Sequence, residues 1–124
     1  RVQAPEGGFY LFLDFNGMAD GLRKAGIVTS SQLCENLLSQ TGVALLPGDA
    51  FGMRPEYLSA RLAYVEFDGV EALNASRNLG LQQPLSQAFM QQYMAKTLRG
   101  IDHLCQWVSG FAETGECAKL AMAH

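Results

Sequence analysis

The sequence predicts an α+β domain, a small, mostly antiparallel three-stranded sheet packed with helices. Three observations predict it. Short, dense apolar runs at 9–15, 43–46 and 58–67 have the length and composition of strands. Segments of helical periodicity separate and follow them. A chain of 124 residues suffices for one domain with a modest core.

The elements follow in order. The run Phe9 to Phe15 lies behind Pro5-Glu6-Gly7-Gly8, and its aromatic content and glycine boundary favour a buried strand. Residues 16–29 hold Gly17, Gly21 and Gly26 without a sustained period and read as a loop. Thr29 and Gln32 have capping-box spacing. Leu33, Cys34, Leu37 and Leu38 then form one stripe, and Gly42 is a suitable stop. Val43 to Leu46 reads as a second strand ended by Pro47-Gly48, and Gly48 to Pro55 as a loop. Leu58 to Phe67 is the third strand. Asp68 and Glu71 can cap a helix over 69–79 that stops at Gly80. After Pro84, Met90, Met94, Leu98, Ile101, Cys105 and Val108 recur at helical steps, predicting one long amphipathic helix weakened at Gly100. The chain divides into a unit at 1–84 and a C-terminal amphipathic helix and tail at 85–124.

Composition narrows the function classes. About half the residues, 48%, are apolar and 17% are charged, which excludes disorder. A net charge of -3 gives no reason to expect nucleic acid or an anionic membrane as partner, and no stretch approaches a membrane span. Three scattered cysteines suggest reduced thiols in a cytoplasmic setting rather than a disulfide framework.

Arg61 is the residue that stands out. In the third strand Leu58, Ala60, Leu62 and Tyr64 share one face, while strict alternation puts Arg61 with Ala63, Val65 and Phe67. A sheet with two apolar faces needs a second cover: the C-terminal helix, a partner subunit or a domain outside the chain. A guanidinium on such a face needs a counter-charge, because burial without one costs several kcal/mol. Two readings stand. Arg61 either snorkels at the strand start or pairs internally with Asp14, Glu56 or Glu66, or it binds a ligand carboxylate through its planar fork.

The order Pro5-Glu-Gly-Gly-Phe-Tyr-Leu-Phe-Leu13, Gly42-Val-Ala-Leu-Leu-Pro-Gly-Asp-Ala-Phe-Gly52, Ala60-Arg-Leu-Ala-Tyr-Val65 resembles the class I/II pyridoxal-phosphate-dependent aminotransferases. The likeness is to their C-terminal small domain and covers about residues 5–75, with P-G-x-x-F-G followed by R-L as its specific part. It implies that Arg61 grips the α-carboxylate of an amino acid or 2-oxo acid and that Phe9 borders the substrate pocket. The family often has a Gly-Glu-Gly-Tyr type turn before this arginine. Here Met53-Arg54-Pro55-Glu56-Tyr57-Leu58-Ser59-Ala60 stands instead. Arg54 there either touches a second carboxylate or is simply solvated.

The resemblance also implies pyridoxal 5'-phosphate, held by a lysine in a Ser-x-x-Lys-like setting. Lys24, Lys96 and Lys119 all lack that setting. The beginning at Arg1 therefore reads as a small domain detached from its large, cofactor-binding domain. Catalytic residues are expected in that missing domain, the parent enzyme is expected to be a homodimer, and this chain alone is expected to be inactive. The competing reading is a non-enzymatic carboxylate-binding, regulatory or interaction domain. Asp102, His103 and Cys105 lack zinc or nucleophile spacing, as do Cys105 and Cys117, and Gly48 to Gly52 lacks the ending of a phosphate loop. The Met-rich helix is read as core before partner docking.

Overall fold

The capping box at Thr29 sets the best-defined helix. In the computed structural model, which describes residues 1–80 and 82–112, Gln32 N–H donates to the Thr29 hydroxyl at 3.2 Å. Gln32 Oε1 in turn accepts from the Thr29 and Val28 N–H groups at 3.2 and 2.9 Å. These bonds satisfy donors that a helix start leaves open. The helix, α2, runs Ser30–Thr41 and ends on Gly42 at φ 75°, a left-handed position that favours glycine. It buries Leu33, Cys34 and Leu37, whereas Leu38 is half-exposed and off the predicted stripe.

The sheet has three antiparallel strands in the order β1-β3-β2: β1 Tyr10–Asp14, β2 Leu46–Pro47 and β3 Ser59–Ala63. The α+β expectation therefore holds, with shorter strands than the apolar runs suggested. Leu45 is buried and Val43 packs against the core, but the chain pairs with β3 only at Leu46 and Pro47, and the 3-10 turn Gly48–Phe51 begins right after. Past Ala63 the chain leaves the ladder and turns, with Phe67 N–H bonded to Val65 O at 2.9 Å.

Two helical readings need correction. Residues 16–29 are not all loop: a 3-10 turn at Asn16–Met18 leads into a short helix, α1 Ala19–Lys24, which buries Ala19 and Leu22. Its glycines hid the period. Gly21 is needed there, since a Cβ would sit 3.2 Å from the Phe111 carbonyl carbon and closer still to its oxygen. The predicted long helix after Pro84 is two, α4 Gln87–Tyr93 and α5 Ala95–Ser109, broken at Met94 with φ -126°. Gly100, the expected weak point, is continuous helix.

The helix at Gly69–Leu79, α3, has the predicted bounds, and its Asp68 cap accepts from Val70 and Glu71 N–H at 3.0 and 2.9 Å. Only Ala72 on it is buried, leaving Val70, Leu73 and Leu79 exposed.

Phe15, Leu22, Ile27, Leu33, Leu37, Leu58, Ala60 and Leu104 form one core under one face of the sheet. Trp107 and Phe111 pack with their rings tilted by 59° and centroids 4.7 Å apart, and Trp107 Nε1 donates to Gln40 at 2.8 Å, fastening α5 to the end of α2. On α5 the inward row includes Ile101, Leu104 and Val108, while Cys105 is exposed. Leu104 joins the common core from beyond the division drawn at residue 84. Lys119 and Cys117 lie outside the described residues.

A candidate carboxylate-binding face

Alternation along β3 builds the site. Leu58, Ala60 and Leu62 point into the core, which turns Arg61 and Ala63 to the opposite face. Among the described residues, the buried core lies on the side of Leu58, Ala60 and Leu62 and not on this face. Phe12 on β1 and Leu46 on β2 are the register partners of Arg61 on either side, and Tyr10, Phe12, Leu46 and Phe51 are 42% to 51% exposed. The expected apolar second face is therefore present.

Two aromatic rings hold the guanidinium. Arg61 Cζ lies 4.2 Å from the Tyr10 ring centroid and 4.3 Å from that of Phe51, within cation–π range. Tyr10 shares its face with Phe12 on β1. Phe51 is delivered by the turn Gly48–Phe51, which Gly52 closes at φ 85°.

The start of β3 is fixed in turn. Ser59 is fully buried; its N–H donates to Ser30 Oγ at 3.2 Å, and its hydroxyl donates to Tyr57 O at 3.1 Å. Gly48 packs directly on Ser59. Ser31 Oγ donates to Asp49 Oδ2 at 3.1 Å, tying the turn to α2.

The acidic residues named as internal partners are occupied elsewhere or remain apart. Asp14 accepts from Asn16 N–H and Nδ2 at 2.8 and 2.7 Å and from the Tyr57 hydroxyl at 3.2 Å. Burial by itself would raise the Asp14 carboxyl, but these hydrogen bonds outweigh it and hold the group below its ordinary 3.8. The same bond to Asp14 raises the Tyr57 phenol. Glu66 faces Lys96 at 3.9 Å across solvent. Among the described residues Arg61 has no ion pair with Asp14, Glu56 or Glu66.

The other sequence-predicted residue, Phe9, lies one position before β1 and is 65% exposed. Its carbonyl accepts from Tyr64 N–H at 3.3 Å, but its ring is not among those against Arg61. The rings that meet Arg61, Tyr10 and Phe51, were missed, although both carried a signal: Tyr10 alternates onto the Arg61 face, and Phe51 is the aromatic of P-G-x-x-F-G. Arg54 is exposed, and its carbonyl accepts from Tyr57 N–H at 3.0 Å.

Neither of two open grooves is lined by Arg61. One of about 580 Å³ lies between Val65–Asp68 and Gln92–Lys96, and one of about 350 Å³ runs along α5 beside Thr41–Ala44. No metal-binding group of three or more His, Cys, Asp or Glu occurs among the described residues. The described residues also do not fit pyridoxal phosphate. Lys24 and Lys96 are exposed, and neither sits in the desolvated pocket that a nucleophilic amine needs. No helix among the described residues is long and apolar enough to cross a membrane.

Fold and site together define an α+β unit that presents an arginine, contacted by two aromatic rings, on an exposed apolar face of its sheet. The sequence comparisons give that class a more particular setting. Over 56 residues, 42% of this chain, it is 43% identical to a bifunctional aspartate aminotransferase and glutamate/aspartate-prephenate aminotransferase of Petunia hybrida, of which 11% is covered. It is 41% identical over 54 residues to an aspartate aminotransferase of Pinus pinaster, covering 42% of the chain and 11% of the relative. It is 37% identical over 73 residues to an aspartate aminotransferase of Rhizobium meliloti, covering 57% and 18%. The chain thus spans between a tenth and a fifth of the length of the curated relatives it matches. No family model and no solved structure matches it. Over these stretches the chain is similar to aspartate aminotransferases, and the resemblance read from its residues stands.

Proposed function

We propose that this chain is the substrate-gripping small domain of a pyridoxal-phosphate-dependent aminotransferase, which moves an amino group between an α-amino acid and a 2-oxo acid. The observation that carries the reading is Arg61: a half-buried guanidinium on an apolar sheet face, without an acidic partner among the described residues. A substrate carboxylate supplies the missing counter-charge, bidentate on the guanidinium fork. Its role is positional: fixing the carboxylate orients the bonds at the α-carbon. Phe9 borders the same substrate in this reading.

Pyridoxal phosphate would be bound by parts of the enzyme outside this chain, so the chain alone is inactive. The small-domain unit is 1–84, followed over 85–124 by a C-terminal amphipathic helix and tail, and the parent enzyme is a cytoplasmic homodimer. The support for a reducing setting is the scatter of the three cysteines.

Arg61→Lys in the enzyme carrying this sequence tests the reading. The lysine keeps the charge and loses the fork. Hydrogen bonds to charged groups contribute about 1.5–3 kcal/mol, so kcat/KM for the amino acid falls about tenfold to hundredfold with the cofactor absorbance unchanged. Unchanged turnover would show that Arg61 does not hold substrate.

A further inference from the structure

The aromatic contacts on Arg61 do something that an acidic partner could not. A carboxylate would consume the guanidinium's in-plane N–H donors, whereas a ring attracts the cation through its π face and uses none of them. Tyr10 reaches Arg61 from β1 at 4.2 Å, and Phe51 reaches it at 4.3 Å from the turn that follows β2, on the other side of β3. The ring pairs found among the described residues are Phe89–Tyr93 and Trp107–Phe111, so Tyr10 and Phe51 do not stack on each other. They flank the guanidinium separately. Among the described residues no hydrogen bond leaves the Arg61 side chain.

We infer that Tyr10 and Phe51 are positioning residues, which hold the Arg61 guanidinium between two rings so that its N–H edge is presented, ordered and unspent, to a planar carboxylate. This deepens the proposed function and rests on it for the identity of the ligand. The ring contacts themselves do not depend on that reading. Holding the fork in advance spares a ligand the cost of ordering a long side chain. Rings over the guanidinium also leave its edge as the place where an anion gains most, and a bidentate carboxylate matches that edge.

The test has two parts. In the 124-residue chain, the Arg61 Nε–Hε group is followed by ¹⁵N NMR relaxation in wild type, Tyr10→Leu and Phe51→Leu. Both positions are exposed, so the core is untouched, and the backbone amide spectrum verifies the fold. The wild-type group is expected to have an order parameter above about 0.6 and a ring-current shift, with both reduced in each variant. An Arg61 signal of equal order and shift in all three proteins overturns the inference.

In the enzyme carrying this sequence, each leucine variant is expected to raise KM for the 2-oxo acid on the order of threefold to tenfold with kcat held. Tyr10→Phe, which keeps the ring, is expected to behave as wild type. A fall in kcat without a KM change, or a Tyr10→Phe as impaired as Tyr10→Leu, overturns it as well. If Arg61 loses order in the variants but Arg61→Lys leaves turnover intact, the rings still hold the arginine and only the carboxylate reading fails.

Discussion

Replacing Gly48 by alanine places a methyl group where the turn carrying Phe51 meets the strand carrying Arg61. The added Cβ would lie 3.1 Å from Ser59 Cβ and 3.2 Å from the Ser59 carbonyl oxygen, and would overlap Ser59 Oγ. Carbon atoms prefer about 3.5–4.0 Å, so several tenths of an ångström must be found. Ser59 yields badly, because it is fully buried and its hydroxyl is committed to Tyr57 O at 3.1 Å. Overpacking of this kind costs about 1–3 kcal/mol. In a domain of this size each kcal/mol lowers Tm by about 4 °C, so thermal unfolding followed by circular dichroism should fall by about 4–12 °C. Ser59→Ala removes the oxygen that the methyl strikes. The double variant should therefore be more stable than the sum of the single effects by about 1 kcal/mol, a coupling expected of residues in contact. A Gly48→Ala protein as stable as wild type, or strict additivity with Ser59→Ala, would refute the reasoning.

Gly100→Ala gives the opposite sign: its Cβ meets nothing within 4 Å inside α5, so stability should rise by about 0.5–1 kcal/mol in urea unfolding. Burial, with the negative charges of Asp49 and Glu35, pushes the Cys34 thiol up to about 11, so Cys34 should resist alkylation at pH 8 in the folded chain and react once it unfolds, as read by peptide mass spectrometry. The Asp14 carboxyl is held below its ordinary value, so its hydrogen bonds stabilise the fold fully above the unfolded-state value near 3.8 and lose that contribution as pH falls through the lower folded-state value. Asp14→Asn should therefore flatten the acid limb of a stability-against-pH curve; an unchanged limb would deny Asp14 this role. Treated with pyridoxal phosphate and then borohydride, the 124-residue chain should give no stoichiometric adduct at a single lysine, and clear labelling of one lysine would contradict the assignment of the cofactor site to other parts of the enzyme.

Much of the fold was legible because local chemistry and packing agree in it. Thr29, Gln32 and Gly42 bound α2 as their side chains require, and Asp68 and Gly80 bound α3. Agreement failed where tertiary contacts override local pattern. α1 is a helix because Ala19 and Leu22 are buried, and Gly21 sits where α1 meets Phe111 rather than where a loop bends. The break at Met94 has no glycine or proline to announce it, while Gly100 causes none. The exposed apolar face of Arg61 was readable from alternation alone. Its aromatic company was not, since Phe51 reaches Arg61 through a turn after β2 and no spacing along one strand reveals that contact.

The central claim is that Arg61 holds the substrate's α-carboxylate, and a comparison of two substrates tests it most directly. The proposed parent aminotransferase and its Arg61→Lys variant are each assayed with an amino acid and with the corresponding amine that lacks the α-carboxylate. The account predicts that Arg61→Lys lowers kcat/KM about tenfold to hundredfold for the amino acid and leaves the slow turnover of the amine nearly unchanged. An equal loss for both substrates would contradict it, because the arginine would then act on something other than the carboxylate.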